Sequence, residues 1–273
     1  MLASLTFDST AAIAVMLLAV LPDFPPQSRW LSASEKDVII RRLEEDGNSQ
    51  LDESPLTTKR ALSVIKSPKV FVSGLLYFTM LIPGYAQSFF TPTIIKGYTE
   101  GTIRTQLLSV PPWACAFAFS LLVAWSSDRF RHRFLCVILP MILLAIPGYA
   151  MLLSIHQDSS AQYGALFLIQ MGVYSPLPII VCWCSMNVHG HTDRGIALGW
   201  LIGIAQFAGI PAVYLFLKDE APRYTTGYST CLACVVAGVA LAFVYALACR
   251  AENRAICRKA GEELVGKATL NVI

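Results

Sequence analysis

The stretch FLCVILPMILLAIPGYAMLLSI, residues 134–155, decides the fold class because it is apolar throughout and contains no charged residue. Its length matches the roughly 20 apolar residues that an α-helix needs to cross the hydrocarbon core of a bilayer. Runs of similar character lie on both sides of it. The apolar runs of the chain cover residues 5–21, 69–91, 107–126, 134–155, 162–185, 196–217 and 228–249. The pattern predicts an all-α membrane protein that crosses the bilayer several times.

The composition of the whole chain supports this interpretation. Of its 273 residues, 55% are hydrophobic and 14% are charged, whereas soluble domains carry about 25% charged residues. The net charge of +3 is too small to indicate a polyanionic partner. These values argue against a soluble enzyme, a nucleic-acid-binding protein and a disordered protein. The lipid bilayer is the expected partner, and no nucleic acid is expected.

The first apolar run differs from the others, because it is shorter and contains Asp8. We do not interpret it as a signal peptide, because no Lys or Arg precedes Arg29 and the basic n-region is therefore missing. We interpret it as a membrane helix whose beginning is damaged or absent. The expected regions are a helix remnant at 1–21, a linker at 22–68, a six-helix bundle at 69–250 and a tail at 251–273.

The linker contains a helix signal. Ser32-Ala33-Ser34-Glu35 has the spacing of a capping box. In this motif the Ser32 hydroxyl accepts from the amide of residue 35, and the Glu35 carboxylate accepts from the amide of Ser32. A helix is predicted over residues 33–46, ended by Gly47, at the membrane surface.

The basic residues predict the orientation. If the linker is cytoplasmic and the runs alternate, 17 of the 21 Lys and Arg residues fall in cytoplasmic segments and 4 fall outside. Such a bias follows the positive-inside rule. It predicts six spans after the linker and a cytoplasmic C-terminus.

Pairs of cysteines and histidines show metal-like spacing. They are Cys182-x-Cys184, Cys231-x-x-Cys234 and His189-x-His191. Nothing nearby in sequence completes a zinc site at any of them, and we interpret the cysteines as small apolar side chains. The chain lacks a phosphate-binding loop and a nucleophile elbow. We therefore expect no metal, no cofactor and no enzymatic activity.

The short loop SDRFRHR, residues 127–133, joins two apolar runs. One interpretation is simple anchoring by positive charges at the cytoplasmic face. The other is that it resembles the loop signature of the major facilitator superfamily, in which an Asp-Arg pair and further basic residues join adjacent helices. Arg131 stands where that signature usually has glycine.

Further stretches make the resemblance closer. They are LPDFP at 21–25, RRLEEDG at 41–47, FTPTII at 90–95, QLLSVPP at 106–112, GHTDRG at 190–195 and APRY at 221–224. Together these resemble the fungal anion:cation symporters, the allantoate-permease-like family of that superfamily, over about residues 5–255. Relatives in that family carry small organic anions such as allantoate, ureidosuccinate, nicotinate and pantothenate.

The resemblance implies the six-helix C-terminal bundle of a major facilitator fold, with a preceding short helix and a cytoplasmic linker helix. Residues 1–21 would then be the remnant of helix six of twelve, and helices one to five would be missing. A truncated gene model, a half-length product and a degenerate locus all fit.

The implied function is transport of a small organic anion across the plasma membrane, proton-coupled when the carrier is complete. A second chain is one source of the missing half. The alternative is a truncated relic or an accessory membrane protein that does not transport.

Polar side chains near the bilayer midplane are the candidates for a substrate pathway, because polar groups at that depth are costly and tend to be functional. The alternative for each is hydrogen bonding between helices or anchoring at the membrane interface. Tyr85 and Gln87 lie nearer the outer end of their span, which makes them candidates for gate or rim residues. The candidates are Tyr77, Tyr85, Gln87, Gln170, Tyr174 and Gln206, together with Asn187, which belongs to the family pattern although Met186 departs from it.

A group of candidate gate residues is expected on the cytoplasmic side. Asp128 is expected near the start of the helix that begins around Gly195, where a carboxylate is favoured and Arg194 offers a counter-charge. The expected gate residues are Asp128, Arg129, Arg131, Arg133 and Arg194.

The spacing of Gly195, Gly199 and Gly203 predicts a stripe that permits close helix packing. The resemblance implies that this stripe faces the missing first half.

Overall fold

The computed structural model describes residues 13, 16–17, 32–43, 57–97, 101–155, 158–188, 190–216 and 224–264. The chain divides into two units, Met1–Glu53 and Ser54–Ile273, and each is considered by itself. Most of the run at 5–21, the predicted helix residues 44–46 and Gly47 lie outside the described residues. The described part consists of helices and connections and contains no strand.

In the first unit, helix α1 spans Ala33–Leu43 and begins with the predicted capping box. The Glu35 carboxylate accepts from the Ser32 amide at 3.0 Å and from the Ser32 hydroxyl at 2.7 Å. The Glu35 amide donates to the Ser32 hydroxyl oxygen at 3.4 Å. These hydrogen bonds favour the ionised carboxylate and lower the pKa of Glu35. The predicted cap is confirmed.

In the second unit, the short helix α2 spans Thr58–Ile65 and precedes six helices that are long and apolar enough to cross a membrane. Each of the six begins before one of the predicted runs; four of them contain the whole run, whereas α5 and α7 end at Ser154 and Tyr214, shortly before their runs end. This agreement confirms the predicted fold class. The helices are α3 at Pro68–Lys96, α4 at Thr102–Phe130, α5 at Arg133–Ser154, α6 at Ser159–Met186, α7 at His191–Tyr214 and α8 at Thr225–Leu264.

Helix α3 is the central element of the bundle and contacts α4, α6, α7 and α8. Apolar residues occur around its whole circumference, which is typical of a helix buried on several sides. Leu76, Met80 and Ala86 on it are fully buried. The side chains that reach the core from α5, α6 and α8 are large, and Tyr149, Trp183 and Tyr245 are among the largest fully buried ones.

Three of the long helices are interrupted within the apolar region. Helix α5 contains a π-helical segment, Met141–Ala145. Helix α6 is divided at Ser175, directly before Pro176, and α7 is divided at residues 207–208. Proline lacks an amide proton and clashes with the carbonyl four residues earlier, which favours a break before Pro176 and one four residues before Pro211, although α3 and α4 continue through their internal prolines. The interruptions in α6 and α7 follow Tyr174 and Gln206 directly.

Helices α5 and α6 approach each other at glycines that the sequence analysis did not single out. A Cβ atom on Gly172 would lie 2.4 Å from the Ala145 nitrogen, and one on Gly148 would lie 2.7 Å from Ile169 Cγ1. By contrast, a Cβ on Gly195, Gly199 or Gly203 would meet no atom within 4 Å. The glycine stripe of α7 therefore faces open space among the described residues.

Candidate functional site

One turn of α3, Gly84–Ser88, carries polar groups that meet side chains of α6 and α7. The Tyr85 hydroxyl donates to Gln206 Oε1 on α7. The Tyr174 hydroxyl of α6 donates to the Gly84 carbonyl at 2.5 Å and lies 3.2 Å from Ser88 Oγ.

Helix α4 completes this group with Trp113, whose ring centroid lies 4.7 Å from that of Tyr174 at an interplanar angle of 56°. We call these five residues the aromatic–amide cluster: Tyr85, Ser88, Trp113, Tyr174 and Gln206. The structure thus brings together three of the predicted pathway residues. Ser88 and Trp113 were missed, because nothing in the sequence indicates which serine or tryptophan faces α6.

The cluster opens onto the same face of α7 as the glycine stripe. Gln206 follows Gly203 by three positions, and residues three or four apart share a helix face. Ser88 and Gln206 are exposed, and the three aromatic members are half-buried. The open face therefore presents hydroxyl, amide and indole groups beside a side-chain-free strip of helix.

Gln87 and Gln170, two other predicted pathway residues, lie inside the bundle. Gln87 Nε2 donates to the Tyr149 hydroxyl at 3.3 Å, and Gln87 Oε1 accepts from Thr91 at 3.2 Å. Gln170 Nε2 donates to Thr91 Oγ1 at 3.3 Å. This buried network joins α3, α5 and α6, as the alternative of hydrogen bonding between helices predicts. Thr91, one turn after Gln87, was missed despite that spacing.

Asn187 is also buried, at a junction of α3, α6 and α8. Its Nδ2 lies 3.3 Å from the Tyr245 hydroxyl and 3.4 Å from Cys249 Sγ. Its carbonyl accepts from Lys69 Nζ at 2.8 Å, and Lys69 forms an ion pair with Glu252 at 2.9 Å. The start of α3, the end of α6 and the stretch of α8 from Tyr245 to Glu252 therefore meet at one end of the bundle. Tyr77 packs against the hydrophobic core.

We expect Lys69→Met to destabilise the bundle by roughly 1–2 kcal/mol, because it breaks a partly buried ion pair and removes a donor from the carbonyl of Asn187, the residue that caps α6. Glu252 is 41% exposed, so water compensates part of the loss. Urea unfolding of the purified chain in detergent measures the change. Lys66→Met, at an exposed position nearby, is the matched control. Equal midpoints for the two variants would contradict the role of Lys69.

The structure corrects the expected partner of Asp128. Asp128 Oδ1 accepts from Arg133 Nη2 at 3.0 Å, and the Asp128 side chain is 72% exposed. Arg131 ends α4 in the left-handed conformation, with φ 56° and ψ 18°, and this turn brings Arg133 back beside Asp128. The start of α7 carries Asp193 instead, which pairs with Arg60 of α2 at 2.7 Å.

The other predicted gate residues are placed as follows. Arg129 is exposed, Arg133 is 8% exposed, and Arg194 is half-buried at the start of α7. A gate function for these residues stays a prediction.

We expect Arg131→Gly to stabilise the protein by about 1 kcal/mol, because a left-handed residue with a Cβ is strained and glycine is not. Glycine is also the usual residue at this position of the loop signature. The shift of the unfolding midpoint in detergent measures the effect. Arg129→Gly, inside the last turn of α4, should be destabilising. A destabilised Arg131→Gly variant would contradict the left-handed backbone conformation of Arg131.

The cysteines of the described part are unpaired thiols, several of them buried or half-buried. Within that part, no three His, Cys, Asp or Glu side chains come together as metal ligands. His189 lies outside the described residues.

No protein-family profile matches the chain, but individual fungal proteins do. The MFS transporter prlL of Fungal sp. (strain NRRL 50135) is 31% identical over 227 residues, which cover 79% of this chain and 44% of the relative. The uncharacterized transporter C11D3.18C of Schizosaccharomyces pombe is 32% identical over 231 residues, covering 84% and 45%. The major facilitator-type transporter hxnP of Emericella nidulans is 27% identical over 259 residues, covering 94% and 52%.

The chain spans about half the length of these curated relatives. Together with the six apolar helices, the similarity identifies an integral, multi-pass membrane protein.

Proposed function

Because the chain is homologous over most of its length to fungal transporters of the major facilitator superfamily, we propose that it acts as the C-terminal half of a membrane carrier for small organic anions. The aromatic–amide cluster on the open face of the bundle is the observation that supports this proposal. Transporter sites lie near the bilayer midplane between two repeats, at interrupted helices. The cluster adjoins the interruptions in α6 and α7.

The chemistry of the cluster suits a small anion with a planar, unsaturated part. Gln206 Oε1 accepts from Tyr85, which leaves the Gln206 amide protons to donate to a carboxylate. The Ser88 hydroxyl donates to the Tyr174 oxygen, because the Tyr174 proton goes to the Gly84 carbonyl, and it becomes a second donor for the anion when that bond is exchanged. The half-buried ring of Trp113 offers a flat apolar surface for stacking. None of the five side chains carries a full charge, so we assign the counter-charge to the other half of the carrier.

The experiment measures uptake by a carrier that is completed with a first half and transports an anion such as nicotinate or allantoate. We expect Gln206→Ala to raise KM about tenfold, the effect of about 1.4 kcal/mol of lost binding free energy. Gln106→Ala, an exposed amide on α4, is the matched control and should leave KM unchanged. An unchanged KM for Gln206→Ala would contradict the proposal that the aromatic–amide cluster contacts the substrate.

The remaining parts of the proposal concern placement. We place the carrier in the plasma membrane, with the linker at 22–68 and the tail at 251–273 in the cytoplasm, on the distribution of Lys and Arg. A second chain carrying the first six helices would complete it, with the stripe Gly195, Gly199 and Gly203 as its packing surface. Proton coupling would then depend on titrating groups in that first half.

The orientation is tested by labelling intact cells with an impermeant thiol reagent, on a cysteine-free background. A cysteine at Ser49, in the linker, should not react. A cysteine at Thr99, between α3 and α4, should react and serves as the control. The reverse pattern would refute the orientation.

A further inference from the structure

Helix α2 is tied to the start of α7 by an ion pair. Arg60 Nε lies 2.7 Å from Asp193 Oδ1, and the two side chains are 24% and 28% exposed. Val64, one turn after Arg60, packs against the hydrophobic core. Residues four apart share a helix face, so Arg60 and Val64 form the face by which α2 docks on the bundle.

Ser63 lies beside this face and is exposed. Its hydroxyl donates to the Arg60 carbonyl at 2.8 Å. The sequence KRALS at 59–63 places basic residues three and four positions before the hydroxyl. Protein kinases that select substrates by charge recognise basic residues at such positions with acidic groups in their binding groove.

Helix α2 is also easy to open. It has eight residues and no fully buried side chain. Isolated helices of this length are unstable in water, so α2 stays helical only through its docking contacts, and local unfolding that opens them presents Ser63 to a kinase in extended form.

We propose that Ser63 is a phosphorylation site for a basophilic protein kinase, and that phosphate there releases α2 from α7. In the reaction, Ser63 Oγ bonds to the γ-phosphorus of ATP and the bond from that phosphorus to the β-phosphate oxygen breaks. ADP leaves, and the hydroxyl proton passes to the kinase and then to solvent. The proposal rests on the orientation given above, because the kinase and ATP act in the cytoplasm.

The release follows from electrostatics. A phosphoserine carries a charge of about −1.5 to −2 at neutral pH. Residues three apart on a helix are neighbours, so the phosphate competes with Asp193 for the Arg60 guanidinium. Ser63 also lies in the last turn of α2, where negative charge opposes the helix dipole. Both effects weaken the docked state.

The first experiment treats the purified full chain in detergent with the catalytic subunit of cAMP-dependent protein kinase and ATP. Mass spectrometry should find phosphate on Ser63, and Ser63→Ala should lose it from that peptide. Absence of phosphate on Ser63 under conditions that phosphorylate a control peptide would overturn the assignment. Because this experiment needs no membrane orientation, it is independent of the proposed transport function.

The second experiment measures hydrogen exchange of the α2 amides. We expect Ser63→Glu to increase exchange about two- to fivefold, the range that loss of a partly exposed ion pair produces. Ser63→Gln, of similar size and uncharged, should not change it. Asp193→Asn should match Ser63→Glu, and the double variant should add little. Equal exchange in Ser63→Glu and Ser63→Gln, or full additivity of the double variant, would overturn the release mechanism.

The third experiment maps phosphate in intact fungal cells. Phosphorylation of Ser63 there supports the proposal. Absence of phosphate on Ser63 in cells, when the protein in detergent accepts it, would refute the physiological site. Labelling of a cysteine at Ser49 from outside would then attribute that failure to the orientation.

Discussion

A Gly172→Ala variant is expected to unfold more easily than the parent chain, by about 2–3 kcal/mol. The new Cβ would lie 2.4 Å from the Ala145 nitrogen and 2.8 Å from Ala145 Cα. These are backbone atoms of α5, so no side-chain rotation relieves the overlap and the two helices must separate. Urea or SDS titration in detergent measures the loss.

Gly199→Ala is the matched control and should have the opposite sign. A Cβ there meets no atom within 4 Å, and alanine is favoured over glycine inside a helix by about 0.5–1 kcal/mol. The same substitution thus separates a glycine at a helix contact from one on the open face. Equal destabilisation by both variants would mean that α5 and α6 do not approach as described.

Residues 1–273 expressed alone are expected to insert into the membrane but not to transport. The six described spans carry Asp, Glu, Lys, Arg and His only near their ends, as at Lys69, Asp128 and Asp193. A proton-coupled carrier needs a titrating group within its pathway, and alternating access needs one bundle to move against another.

The test uses yeast that lacks its own organic-anion permeases. Uptake of allantoate or nicotinate should equal that of the empty vector, whereas fractionation should find the chain in membranes. Co-expression of a first half that binds the chain should restore uptake. Uptake by residues 1–273 alone that depends on the pH gradient would contradict this expectation.

Features that depend on one segment of chain were predictable from the sequence. The six spans follow from runs of apolar residues, and the cap of α1 follows from Ser32 and Glu35, three positions apart. Asp193 and Arg60 show the limit of this reasoning. They are 133 positions apart and form an ion pair. Nothing in the sequence around either residue indicates that the two residues meet.

The candidate site was only partly predictable for the same reason. The search for polar side chains near the bilayer midplane identified Tyr85, Tyr174 and Gln206 as candidates. It could not distinguish them from Gln87 and Gln170, which point into the bundle. A membrane span that is apolar on all sides has no hydrophobic periodicity, so the sequence does not indicate which of its faces is buried. The close glycines were missed because Gly172 has no glycine three or four positions away on its own helix, whereas the open face of α7 has glycines at every fourth position.

The hydrogen bond between Tyr85 and Gln206 limits how tightly a substrate of the proposed carrier is held. The two groups satisfy each other when no ligand is present, so a substrate that recruits Tyr85 exchanges one hydrogen bond for another. The net gain from such an exchange is small, about 1 kcal/mol or less. A weakly bound substrate dissociates quickly after the protein changes conformation. The hydrogen bond between Tyr85 and Gln206 then forms again, so the empty site has no unsatisfied polar group during the return to the first conformation. The pair therefore favours rapid cycling over strong retention.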